Sequence, residues 1–118
     1  MVKPKRGELW LADLGDPVGA EAGYERPVVI VQDDYINLSR VQTVVVVPLT
    51  SNMKYRNLVG NVFLSARSTG LQVDSVAQTH LIQALNKDKL IHNLSVLSVG
   101  VMSEIEIGMT HTLGLIED

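Results

Sequence analysis

Two residues in this chain have the side chains and the setting for phosphate chemistry, Arg26 and Thr50. Arg26 stands where a polar stretch punctuated by Gly15, Gly19 and Gly23 meets the apolar run Pro27-Val-Val-Ile-Val-Gln32. Thr50 ends a second apolar run and opens Ser51-Asn-Met-Lys54. If the two runs are neighbouring strands, their loop-proximal ends place a guanidinium near a hydroxyl. A planar guanidinium fork binds two oxygens of a phosphate, and a hydroxyl adds a further donor. The same pair suits a phosphoryl-transfer transition state, in which charge gathers on the equatorial oxygens. Spacing alone favours a plainer arrangement: an ion pair from Arg26 to Glu25 or Asp16, with Thr50 satisfying a strand-end carbonyl.

The remaining polar and aromatic residues add binding chemistry. Tyr24, Tyr55 and Trp10 could stack unpaired bases. Trp10 is equally suited to anchoring the core, whereas Tyr24 and Tyr55 sit among glycine and charged residues and are expected at the surface. Gln32 and Asn52 could read base edges or merely complete a ladder. His80, His92 and His111 share no metal-ligand spacing. Asp33 and Asp34 should point apart at a strand end, which suits a solvated turn better than a magnesium site. The glycines lack the following Lys-Ser/Thr of a phosphate loop, and Glu21 and Glu25 form no evident acid pair. The expectation is a protein without metal or cofactor.

The elements that carry these residues follow from periodicity. Strands are predicted at 7–14, 27–32, 42–49, 59–64, 75–85 and 94–97, with a polar, turn-rich stretch over 33–41 and a helical turn at 86–90. The five β-branched residues Thr43 to Val47 make the third of these the strongest. Met102, Ile105, Met109, Leu113 and Ile116 then recur at spacings of three and four, one face of a helix. Ser98 or Ser103 is its expected cap, and Gly114 its stop. The pattern predicts a mainly β, α+β domain: a small, strongly bent sheet or barrel with a C-terminal helix packed on it.

Bulk properties narrow the class. The chain has 118 residues, 46% of them hydrophobic, enough for one core and one domain, 1–118. There is no cysteine, hence no disulfide framework, which suits a reducing cytosol. The basic N-terminus lacks an apolar segment after it, so it does not read as a signal peptide. No apolar run exceeds the length of Val44 to Val47, far too short to span a bilayer. The net charge of −3 argues against strong nonspecific affinity for nucleic acid. All ten Lys and Arg nevertheless lie at or before Lys89, leaving local basic surface at Lys3, Lys5 and Arg6 and at Lys54, Arg56 and Arg67.

Several segments, taken in order, carry a family likeness. Arg6-Gly-Glu-Leu-Trp10, Asp13-Leu-Gly-Asp-Pro-Val-Gly19, Arg26-Pro-Val-Val-Ile-Val-Gln-Asp33, Val47-Pro-Leu-Thr-Ser51 and Gly70-Leu-Gln-Val-Asp-Ser-Val76 resemble the MazF/PemK toxins of toxin–antitoxin systems in order and spacing over nearly the whole chain. The resemblance implies an SH3-like β-barrel with a C-terminal helix, as in CcdB and PemK, and a cytoplasmic homodimer. It implies a metal-independent endoribonuclease that cleaves single-stranded mRNA at short sequences through attack of the substrate's own 2′-OH, giving 2′,3′-cyclic phosphate and 5′-OH ends. It also implies a cognate antitoxin protein that covers the RNA groove. Arg26 and Thr50 match the catalytic positions. Because a guanidinium is almost always protonated and so is no base, Arg26 is assigned first to charge stabilisation and to protonating the leaving oxygen. Glu21, Tyr24, Gln32, Ser51, Asn52, Lys54 and Tyr55 are the candidate RNA contacts. The frequent Gln-Ile-Arg-Thr-x-Asp-Lys segment is Leu81-Ile-Gln-Ala-Leu-Asn-Lys87 here, so an Arg contact is missing and the recognition sequence is left open. The competing readings are a toxin that acts by protein binding, on a gyrase-type target, and an inactive relative that binds only its antitoxin.

Overall fold

The computed structural model describes residues 2–115. Strands β1 (Glu8–Asp13), β2 (Glu25–Ile30) and β3 (Thr43–Thr50) form an antiparallel meander, with a one-turn helix α1 (Asp34–Asn37) between the last two. Strand β4 (Val62–Leu64), helix α2 (Ala66–Thr69) and strands β5 (Ser75–Ala77), β6 (Gln83–Asn86) and β7 (Leu90–Val96) follow, and helix α3 (Val99–Leu113) closes the chain. The sheet runs β4-β5-β3-β2-β1-β7, with β6 paired to the first half of β3.

Strand β3 organises this sheet. Its β-branched run is stiff and extended, and it serves three partners. Val46 to Pro48 pair with β2 on one edge. On the other edge Thr43 to Val46 pair with β6, and Leu49 and Thr50 with β5. Both faces of β2 and β3 are buried, as a continuous apolar run requires. Val29, Val47 and Leu49 point into a cluster with Leu97, Met102 and Ile105, so α3 covers this face. Val28, Ile30, Val44 and Val46 point the other way, onto Ala12 and Leu90.

The single strand expected over 75–85 is broken into β5, a 3₁₀ turn at Thr79–Leu81, and β6. The break lies where the outer edge of β3 passes from one partner to the next. The Gln78 amide donates to the Pro48 carbonyl at 2.9 Å, and the chain then steps away. Thr79 is fully buried at the step, donating to the Gly60 carbonyl at 2.6 Å and contacting the Thr112 hydroxyl at 2.7 Å. These bonds tie the step to α3. Backbone meets backbone at the same place, because a Cβ on Gly108 would overlap the Gly60 carbonyl oxygen.

Other differences are smaller. The predicted strand 27–32 starts two residues earlier, at Glu25, and stops at Ile30. The strand expected over 94–97 begins at Leu90, because β1 pairs along its length through two register shifts. The expected strand 59–64 shortens to Val62–Leu64, and the stretch 33–41 contains α1, capped by the Asp33 carboxylate. Ser98 caps α3, its hydroxyl accepting from the Val101 amide at 3.2 Å, so the Ser103–Glu106 spacing lies inside the helix and caps nothing. Met102 and Ile105 are buried as expected, and Met109 packs against the same cluster. Leu113 is half exposed on the last turn, Gly114 ends the helix at φ 69°, and Ile116 lies outside the described residues. No helix among the described residues is long and apolar enough to cross a membrane.

Candidate active site

The register of β2 and β3 leads directly to the site. Val28 opposes Pro48, and the same alignment carried two residues further would set Arg26 across from Thr50. The strands part before that point. Thr50 pairs instead with Val76 of β5, and Arg26 with Ala12 of β1. A cleft of about 340 Å³ opens between the diverging ends, with Arg26, Pro27, Leu49, Thr50 and Ser51 on it. The segment leading into β5 supplies its other wall, through Leu71, Gln72, Val73 and Ser75.

Arg26 is half buried, and its Nε donates to the Gly23 carbonyl at 2.9 Å. Its Nη atoms make no hydrogen bond within the described chain. The ion pair to Glu25 or Asp16 does not form; among the described residues the one salt bridge joins Arg6 to Glu106 at 3.0 Å. One edge of the guanidinium is therefore fixed by backbone while its outer fork is free. That is the arrangement a phosphate clamp needs.

The loop before Arg26 is shaped to present that carbonyl. The Tyr24 amide donates to the Gly15 carbonyl at 2.6 Å and the Leu14 amide to the Tyr24 carbonyl at 2.9 Å, closing the loop at its neck. Tyr24 has φ 60°, the one positive value outside glycine among the described residues. Bulky residues rarely hold this conformation, and such strain concentrates at functional sites. Gly23 has no room for a Cβ against the ring of Pro17. Tyr24 is 64% exposed.

Thr50 is held from the opposite side. Its Oγ1 accepts from the Asn52 amide at 3.2 Å, which leaves the hydroxyl proton free to donate. The plain alternative, in which Thr50 bonds a strand-end carbonyl, is not what forms. Asn52 caps a 3₁₀ turn at Met53–Asn57, its Oδ1 accepting from the Lys54 amide at 3.1 Å. The Lys54 ammonium lies 5.1 Å from the centre of the Tyr55 ring. Tyr55 stacks on His80 with centroids 6.1 Å apart. Burial holds His80 below its ordinary pKa, so the imidazole is neutral at pH 7. Its Nδ1 is 3.1 Å from the Asn61 amide oxygen.

A second cleft of about 300 Å³ shares the same loop. Glu21 and Ala22 line one side, and His80 to Gln83 the other. Glu21 is locally engaged, accepting from the Val18 amide at 2.8 Å.

The structure thus brings Arg26, Thr50 and Ser51 into one cleft, places Glu21 in a second, and sets Asn52, Lys54 and Tyr55 on the turn after Thr50. Gln32 is a correction. It lies beyond the far end of β2, only 9% exposed, with its amide committed. Nε2 donates to Asn37 Oδ1 at 2.9 Å and to the Thr43 carbonyl at 3.1 Å, and Oε1 accepts from the Val45 amide at 3.3 Å. Gln32 locks α1 to β3 and has nothing left for a base. Asp34 serves the same corner. The Arg6 amide donates to it at 2.8 Å and holds its carboxyl below the usual range.

Sequence reasoning missed Gln72, Ser75 and His80. The first two lie inside the segment Gly70–Val76, and only the β3–β5 pairing brings that segment to Thr50. In the sequence His80 shows only a lack of metal-ligand spacing, and its place on the second cleft depends on the break between β5 and β6. Among the described residues no three His, Cys, Asp or Glu side chains gather where they could hold a metal.

Residues 5–113 match the family model described as PemK-like, MazF-like toxin of type II toxin-antitoxin system. The chain is 38% identical over 110 residues to Endoribonuclease MazF2 of Mycobacterium bovis, covering 93% of this chain and 96% of that protein. Among solved structures it is similar to MazF of Deinococcus radiodurans, at TM-score 0.81 and 21% identity over 97% of this chain and 99% of the other. It is also similar to a mycobacterial endoribonuclease in complex with its cognate antitoxin, at TM-score 0.79 and 24% identity over 98% and 99%.

Proposed function

The chain belongs to the PemK-like, MazF-like toxin family of type II toxin–antitoxin systems, and on that premise we propose that it cleaves single-stranded mRNA in the cytoplasm as the toxin of such a pair. The observation that supports this most is the uncommitted outer fork of Arg26 in the same cleft as the free hydroxyl proton of Thr50. A toxin that acted only through protein contacts would have no use for that pairing.

The reaction proceeds in four parts. The scissile phosphate enters the cleft and takes hydrogen bonds from the Arg26 Nη groups and the Thr50 hydroxyl. The 2′ oxygen of the preceding ribose attacks phosphorus, forming the P–O2′ bond as the P–O5′ bond breaks. Arg26 and Thr50 stabilise the negative charge that builds on the non-bridging oxygens. The 2′ proton is lost to solvent, and the 5′ oxygen leaves protonated through its hydrogen bond to Arg26, which is reloaded from solvent. The products are a 2′,3′-cyclic phosphate and a 5′-OH. No step calls for a metal ion.

Exposed Tyr24, and Tyr55 with Lys54 above it, offer stacking faces for the flanking bases. Asn52 retains its amide NH₂, and Ser51 its hydroxyl, for polar contacts beside the phosphate. Glu21 accepts from a base or ribose donor in the second cleft. The protein works as a homodimer, and an antitoxin that covers the loop before Arg26 blocks both clefts together.

The experiment is direct. A single 2′-deoxy substitution at the nucleotide before the mapped cleavage point should abolish cleavage there and leave neighbouring sites unaffected. Cleavage that continues at the substituted position would rule out 2′-OH attack.

A further inference from the structure

Resting on the reading of the chain as a ribonuclease, we propose that the second cleft selects a guanine beside the cut, reading its N1–H and its N2 amine with acceptors supplied by Glu21 and His80. The cleft adjoins the reacting site through the loop before β2. Glu21 and Ala22 line it, and the carbonyl of Gly23, the next residue, holds Arg26 Nε at 2.9 Å. Tyr55 stacks on His80 from the turn that follows Thr50. A base in this cleft therefore belongs to a nucleotide close to the scissile phosphate. The volume of about 300 Å³ admits one base, and Leu14, Ala22, Leu81 and Ile82 offer apolar surface to its ring.

The polarity of the cleft follows from a chain of hydrogen bonds. Asn61 Nδ2 donates to the Tyr55 carbonyl at 3.0 Å, which turns the amide oxygen toward His80. That oxygen can only accept, so the Nδ1 of His80, 3.1 Å away, carries the ring proton. Burial keeps the ring neutral at pH 7, which leaves Nε2 as a bare acceptor. Glu21 is an acceptor outright: the Val18 amide takes Oε1 at 2.8 Å, and Oε2 makes no hydrogen bond within the described chain. Gln83, also on the cleft, donates from Nε2 to the Leu81 carbonyl at 3.4 Å and keeps Oε1 spare. The polar side chains thus offer acceptors and a negative charge. They exclude a phosphate and disfavour uracil, whose O2 and O4 flank its one N–H. Adenine and cytosine present a single amine beside a ring acceptor. Guanine alone sets two donors side by side on its Watson–Crick edge, and that edge is the complement of the cleft.

The test uses the intact protein. A pool of long single-stranded RNA is cut, the ends are mapped, and one position near the cut is expected to be guanine. Short RNAs carrying that site with guanine, inosine, adenine or uracil at the position are then compared by kcat/KM. Inosine, which keeps N1–H and lacks the amine, should fall about 10-fold, and uracil about 100-fold. Glu21→Gln can keep its oxygen on the Val18 amide and turn its NH₂ into the cleft, so the guanine preference should drop and cleavage of the uracil RNA should rise. His80→Phe keeps a ring to stack on Tyr55 without an acceptor, and it should narrow the guanine-to-uracil ratio about 10-fold. Thermal melts show that a variant is folded, and either one carries the comparison if the other is not. A mapped site without guanine near the cut, or a guanine preference that the folded variants leave unchanged, would overturn this role for the second cleft while leaving the ribonuclease reading intact. A wild-type protein that cuts none of the RNA would instead overturn the ribonuclease reading.

Discussion

Arg26→Ala is expected to lower kcat on single-stranded RNA about 10³-fold, with KM changed only a few-fold. The direction follows from how the guanidinium is held. Its Nε is already spent on the Gly23 carbonyl, so only the Nη groups face substrate, and they meet the phosphate where its charge increases during the step. The alanine variant removes the one cation that the described structure places in the cleft. The fold should survive, because the half-buried side chain anchors a loop and fills neither core cluster. Arg26→Lys should recover only part of the loss, since an ammonium cannot bond Gly23 and both phosphate oxygens in one plane. Steady-state kinetics with a fluorogenic single-stranded RNA, alongside thermal melts of each variant, checks this. Retained kcat in Arg26→Ala would remove the residue from the chemistry.

Thr50→Val should cost about 10²-fold in kcat, the scale of losing one preorganised donor. Valine keeps the shape of threonine and its preference for a strand, so β3 should remain paired to β5 through this position. Two things disappear with the hydroxyl: the proton aimed into the cleft and the acceptor for the Asn52 amide. Asn52 starts the 3₁₀ turn that carries Lys54 and Tyr55, so KM should also rise, by several-fold. Thr50→Ser separates these effects. It restores both hydrogen bonds and should return kcat to within about 10-fold of wild type. A serine variant as impaired as valine would point to packing by the threonine methyl instead.

The sequence carried the identity of the two central residues but not their meeting. Arg26 was visible as a cation at a loop–strand junction, and the β-branched run ending near Thr50 marked the strongest strand. An ion pair to Glu25 or Asp16 was the plainer reading, and only tertiary geometry excludes it, because the Gly23 carbonyl takes Nε while both carboxylates stay elsewhere. The helix was legible down to Ser98 and Gly114, since caps and a period near 3.6 are local signals. The split of 75–85 was not, because it arises where β3 exchanges one partner for another. Ser75 stayed hidden for the same reason: its place on the cleft wall depends on a pairing between distant segments. Gln32 erred in the opposite direction. An amide at a strand end looks available in sequence, and here three hydrogen bonds to α1 and β3 consume it.

The most direct measurement takes a long single-stranded RNA, incubates it with the purified protein in excess EDTA, and identifies the ends produced. The account predicts cleavage at a small set of short sequences, with every upstream fragment ending in 2′,3′-cyclic phosphate and every downstream fragment beginning with 5′-OH, and near-complete loss of cutting with Arg26→Ala. Intact RNA, fragments bearing 5′-phosphate, or cutting that Arg26→Ala leaves unchanged would contradict it.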